Sequence, residues 1–263
     1  MTLLHAVAAE LRKAATLPAT LVAIAVAALG SLAITLLNSV NVRAAIDSGR
    51  LDTVAYTSPV EAVFAAVPMG TVGAVILGVV VISSEYTANS PDAGGGRQIT
   101  ATLTATPRRL TLLAAKACTA VLLVLATAAV ALPACLAVAQ SVIGEAGASD
   151  GLGDVVARSA GAALYWALTA LMALAVTVLT RSGIVPLIVL IANSSLVSVS
   201  FLLTRLTDLA YALPDLAGMG LFAGDTRAGA DGALDPLTGG VAMAAWAFGL
   251  LAVSALVLTR RDA

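Results

Sequence analysis

Charge is scarce in this chain: only 11% of its 263 residues are Asp, Glu, Lys or Arg. Soluble domains carry about 25%, so a soluble domain is excluded, and the mean hydropathy of +1.00 agrees. Lysine is scarcer still, with Lys13 following Arg12 and Lys116 following Ala115. A P-loop needs Gly-Lys and then Ser or Thr. ATP hydrolysis by this chain is therefore excluded, and Gly94-Gly95-Gly96 reads as a hinge because no lysine follows it. His5 is the single histidine, which rules out a histidine-built metal site or a Ser-His-Asp triad within the spans. Cys118 and Cys135, the two cysteines, stand seventeen residues apart in one predicted helix. That is roughly 25 Å along a helix, too far for a disulfide, and both read as small core residues. Aromatics amount to 4% and no basic stripe interleaves with them, so nucleic acid is not a partner.

What is present is apolar. Hydrophobic residues make up 60% of the chain, in recurring runs of about 20 residues that suit helical spans. The ten-residue alternations of barrel strands are absent. The expected fold is an all-α integral membrane protein, one transmembrane domain over 1–263, with six spans at about 17–37, 62–83, 112–139, 159–179, 184–203 and 237–258. Before them, residues 1–15 form an amphipathic helix. Leu3, Leu4, Val7 and Leu11 share one face, with Glu10, Arg12 and Lys13 opposite. Such a helix lies at the membrane surface, and its cations follow the apolar residues, unlike a secretory signal. Ala74 and Gly78 allow close helix approach, and Tyr165 with Trp166 suits a membrane interface. Residues 209–222, broken by Pro214, are too short to span, which predicts a re-entrant or interfacial pair of short helices within an extracytoplasmic loop, 204–236.

Cations sort by side. Nine lie in the N-terminus, second loop, fourth loop and C-terminus: Arg12, Lys13, Arg97, Arg108, Arg109, Lys116, Arg181, Arg260 and Arg261. The other three loops hold five: Arg43, Arg50, Arg158, Arg205 and Arg227. The positive-inside rule places both termini in the cytoplasm. The predicted spans contain essentially no ionisable residue, which weighs against a proton- or sodium-driven carrier, although backbone carbonyls can bind sodium. The best polar cluster within a span is Asn193, Ser194, Ser195, Ser198 and Ser200. It suits either interhelical hydrogen bonding or a wetted surface facing a substrate path or a dimer axis.

The polar stretch 83–116 organises the rest. Glycines 94–96 cannot form a stable helix interior. Ile99 and Leu103, four apart among threonines, suit one short amphipathic helix, which Thr106-Pro107 should stop. Arg108 and Arg109 then anchor the re-entry into lipid. Glu85 can pair with Arg97, Arg108 or Arg109, or remain a solvated acid beside an interfacial Tyr86.

Ser84-Glu85-Tyr86, Gly96-Arg97-Gln98-Ile99, Leu103 and Pro107-Arg108-Arg109 resemble the first cytoplasmic loop of type-2 ABC transporter permeases. The chain departs from that pattern in an apparent insertion at 87–95 and in an arginine that precedes the isoleucine. The resemblance implies a permease subunit of an ATP-driven exporter in the bacterial cytoplasmic membrane. Its loop 84–111 would carry a coupling helix over 99–106 that docks on an ATPase. The implied coupling residues are Glu85, Tyr86, Arg97, Ile99, Leu103, Pro107, Arg108 and Arg109. Implied partners are two ABC ATPase subunits, a second permease copy or paralogue, and membrane lipid. No cofactor is expected on this chain; ATP and Mg would sit on the ATPase. The uncharged spans suit drugs, peptide antibiotics or other amphiphilic or lipid-linked cargo. Two other readings stay open: a non-transporting anchor or sensor that recruits an ATPase, and a gradient-driven secondary carrier.

Overall fold

The computed structural model describes residues 2–86, 108–148, 150–195, 199–224 and 234–260. The described residues are helices joined by turns. Helix α1 spans Leu3–Thr16 and α2 spans Pro18–Asp47. A nearly continuous run follows, with α3 at Pro59–Phe64, α4 at Val67–Ser83 and a 3₁₀ turn at Ser84–Tyr86. Helix α5 covers Arg109–Ile143 and α6 covers Leu152–Thr180. Two short pieces come next, α7 at Ile184–Ser195 and α8 at Val199–Leu203. After a 3₁₀ turn at Asp208–Ala212, α9 spans Pro214–Met219 and α10 spans Pro236–Arg260.

Five of these helical runs are long and apolar enough to cross a membrane: Pro18–Asp47, Pro59–Tyr86, Arg109–Ala146, Leu152–Thr180 and Pro236–Arg260. The chain is thus an all-helical protein of multi-pass membrane type. The expected fifth span, over 184–203, is described in two stretches, 184–195 and 199–203, and is not one of these five runs. Helix α7 is described over 12 residues. Beyond it, the Val199 N–H donates to Asn193 Oδ1 at 3.0 Å. Asn and Ser side chains compete with the helix for backbone groups, and this asparagine serves the start of α8.

Helix α2 also runs ten residues past its expected end at 37. Nothing in 38–47 breaks a helix, and Arg43 Nε pairs with Asp47 Oδ2 at 3.0 Å one turn on. The stop comes at Gly49, whose φ of +69° is a left-handed conformation that glycine adopts without steric cost. The Arg50 N–H closes the end by donating to Ala45 O at 3.0 Å.

Helices α4 and α6 form the centre. Their most apolar stretches are 67% and 78% buried, against 28% for α2, 33% for α5 and 17% for α10. Their contact is close because a Cβ on Gly78 would stand 2.2 Å from Ala170 O. Interface positions were expected for Tyr165 and Trp166, but both lie in this core at 4% and 1% exposure. Trp166 Nε1 donates to Val67 O at 3.1 Å, and the Tyr165 ring meets Phe222 edge-on at 5.1 Å. A buried indole needs a partner for its N–H, and the first carbonyl of α4 supplies one.

The segment 204–224 holds two short helical pieces on either side of Leu213. That residue is extended, φ −67° and ψ 145°, as a residue before proline must be. Helix α9 packs on α10, and Trp246 Nε1 reaches back to Ala212 O at 3.0 Å.

These contacts define two ends of one bundle. Helix α1, the turn at 84–86, the start of α5, the 180–183 turn and the end of α10 share one end. The 48–58 connection, α3, the α5–α6 turn and α9 share the other.

Candidate functional site

At the first end, the chain buries three charged residues and sets a fourth, the half-buried Lys13, against them. Glu85 and Lys116 are fully buried and Glu10 is 9% exposed. Lys116 Nζ lies 2.8 Å from Glu10 Oε2, 2.8 Å from Glu85 Oε1 and 3.1 Å from Val81 O. Three acceptors meet the three N–H groups of one ammonium. Lys13 Nζ stands 2.5 Å from the same Glu85 Oε1. Two lysines and two glutamates cancel, which is what a water-poor site demands of charge. Val81 lies in the last turn of α4, so Lys116 also meets that helix at its negative end.

The local folding follows from this arrangement. Helix α1 turns Ala6, Glu10 and Ala14 inward and leaves Leu3 and Leu4 outward at 44% and 81% exposure. The sequence pattern separated an apolar from a charged face without saying which one meets the bundle; Glu10, from the charged face, packs into it. Outward leucines suit a helix whose surroundings are lipid, where no hydrophobic drive pulls apolar side chains inward. The spans were also expected to be essentially free of ionisable groups. Lys116, seven residues into α5, corrects that expectation.

Glu85 was expected either to pair with Arg97, Arg108 or Arg109 or to remain a solvated acid; it is buried, and among the described residues it pairs with Lys13 and Lys116. Arg97, Ile99, Leu103 and Pro107 lie outside the described residues, as does the helix expected over 99–106. The two stubs of that stretch are both fixed. Tyr86 packs against the cluster of Val81, Ile82, Leu113 and Ala120. Arg109 Nη1 donates to Leu258 O at 2.8 Å, a cation at the last turn of α10. Arg108 precedes α5 and is exposed. Of the serine-rich set, Asn193 bonds to Val199 as described, Ser194 lies within α7, Ser200 is buried at 5% exposure, and Ser198 lies outside the described residues.

Sequence reasoning did not find Glu10, Lys13 or Lys116 as partners. The available signal was stoichiometric: the only two lysines of the chain each border an apolar run, and Glu10 is the single acid before residue 47.

A second charged group stands at the other end. Arg158 Nη1 lies 2.6 Å from Glu61 Oε1 and 3.6 Å from Asp154 Oδ2. Its Nε donates to Phe222 O at 2.8 Å, and its guanidinium sits 4.4 Å over the Phe64 ring. It ties α3 and α6 to the segment after α9. Nearby, burial and then the Glu61 charge push the Tyr56 hydroxyl above its ordinary pKa.

Among the described residues, no group of three or more His, Cys, Asp or Glu is placed to hold a metal ion. No family model, no curated protein and no solved structure matches the chain.

Proposed function

We propose that this chain is the membrane-spanning subunit of an ATP-driven exporter, as its resemblance to type-2 ABC permeases implies. In this reading the Glu10–Lys13–Glu85–Lys116 cluster transmits movement of the 87–107 loop into the bundle. The supporting observation is the position of Glu85. It is the middle residue of Ser84-Glu85-Tyr86, two residues before that loop begins, and it is buried between a lysine of α1 and a lysine of α5. A force on the loop therefore acts on three elements at once. Residues 184–203 complete a sixth crossing, both termini face the cytoplasm, and two such subunits enclose the path. ATP and Mg reside on two partner ATPase subunits.

The test is co-purification in detergent with the ABC ATPase encoded beside this chain. Comparison of the intact chain with one in which Ile99, Leu103 and Arg108 are replaced is decisive. Capture by the intact loop alone supports the reading, and capture by neither form ends it.

One observation favours a gradient-driven carrier as the second reading. Glu10, Glu85 and Lys116 are ionisable groups within an apolar bundle, and such groups are commonly functional in membrane proteins. Transport that survives ATP depletion and stops when the proton gradient is collapsed would select that reading.

A further inference from the structure

At the end of the bundle away from the lysines, a crevice of about 630 Å³ opens between the start of α3, the end of α5 and the start of α6. Small-molecule sites occupy about 300–1,000 Å³, so its size is that of a binding site. Its walls are apolar: Pro59 and Val60 from α3, Leu136 and Ala137 from α5, Val155 from α6. Its polar edge carries Gln140, Glu145 and Asp150, and no lysine or arginine lines it among the described residues.

Among the described residues, the neighbouring cations Arg43 and Arg158 are paired elsewhere. Arg43 comes to the end of α5, donating to Ile143 O at 3.2 Å, but Asp47 holds its charge at 3.0 Å. Arg158 is turned onto Glu61. Asp150 is held in place by the Ser58 hydroxyl, which donates to its carboxylate. The mouth thus keeps an excess of negative charge over an apolar interior. A hydrated metal ion would lose water to these walls without gaining ligands. An apolar neutral molecule would leave the carboxylates unused.

We infer that this crevice binds an amphiphilic organic cation, with its apolar body against Val60, Leu136 and Val155 and its positive centre beside Glu145 and Asp150. Charge complementarity selects the sign of the ligand, and the walls supply most of the contact. The inference stands on the crevice alone and needs neither an ATPase nor transport.

The experiment uses the full chain in phosphatidylcholine nanodiscs without any ATPase, with empty nanodiscs as the blank. Equilibrium dialysis compares tetraphenylphosphonium with tetraphenylborate, which has nearly the same shape and the opposite charge. The expected result is saturable binding of the cation alone. Glu145→Gln weakens it about threefold and the pair Glu145→Gln with Asp150→Asn about tenfold, while Ala137→Trp, which fills the crevice, abolishes it. Glu145 makes no contact that the fold depends on, so its single variant guards against a structural effect at Asp150. Absence of saturable cation binding, equal binding of the borate, or binding unchanged in Glu145→Gln and Ala137→Trp would each overturn the inference. Failure to capture an ATPase leaves this result untouched, and the converse also holds.

Discussion

Lys116 is the residue on which the charged end turns. Its ammonium is shared by two buried carboxylates and one helix-end carbonyl, so its removal leaves negative charge behind in a site without water. Breaking a buried pair from one side costs about 3–5 kcal/mol, whereas an exposed pair contributes about 0–1 kcal/mol. Lys116→Met is therefore expected to destabilise the bundle by about 3–5 kcal/mol, measured by denaturant titration in a fixed detergent. Adding Glu10→Gln should recover part of that loss, because the second change removes one of the orphaned charges and the two residues are in contact. A loss below about 1 kcal/mol for Lys116→Met, or no recovery in the double variant, would mean that water reaches the cluster. Methionine is the useful replacement since it keeps the stem and removes only the charge.

Among the elements, the α4–α6 pair is the contact with least room. A Cβ at Gly78 would sit 2.2 Å from Ala170 O, while a Cβ at Gly249, on α10, would meet nothing within 4 Å. Gly78→Ala should cost about 1–3 kcal/mol as α4 is pushed off α6, and Gly249→Ala should be near neutral in the same assay. Equal effects would show that the two central helices are free to separate. How much of this was legible beforehand differs by element. Long apolar runs announced the five long helices, and Gly78 was visible as a close-approach position because small residues let helices touch. The pair of short helices around Leu213 followed from Pro214. The bond from the Val199 N–H to Asn193 was not foreseen, because hydropathy averages over Asn193 and its serines and does not register a side chain that serves a later N–H. Nor was the inward turn of Glu10. A helical wheel separates two faces of α1, but only its neighbours decide which face is buried, and Lys116 lies 106 residues away in sequence. Trp166 was misjudged for a related reason: aromatic residues near a span's start suit an interface, unless a carbonyl such as that of Val67 waits inside.

For the whole molecule, the question is which loops share a side, and the bundle answers it by contact. Arg109 at the start of α5 touches Leu258 near the end of α10, and Lys13 of α1 touches Glu85 at the end of α4. Helix α5, at 35 residues, is about 52 Å long, well beyond the ~30 Å hydrocarbon layer, so it tilts or projects. Membrane-impermeant maleimide labelling of single cysteines, in a background lacking Cys118 and Cys135, reads the sides directly. Cysteines at Thr2, Arg181 and Arg260 are expected to label from one side, and cysteines at Asp52 and Glu145 from the other. The side with Thr2 also carries Arg12, Lys13, Arg108, Arg109 and Lys116, so the positive-inside rule predicts that these positions label from the cytoplasmic face. Arg205 is the discriminating position. It follows the two short helices, and labelling there together with Asp52 means that 184–203 crosses the bilayer. Labelling together with Arg181 means that it does not cross. The chain would then have five crossings, and Thr2 and Arg260 would have to lie on opposite sides, which contradicts the contacts of α10 with α5 and of α1 with α4.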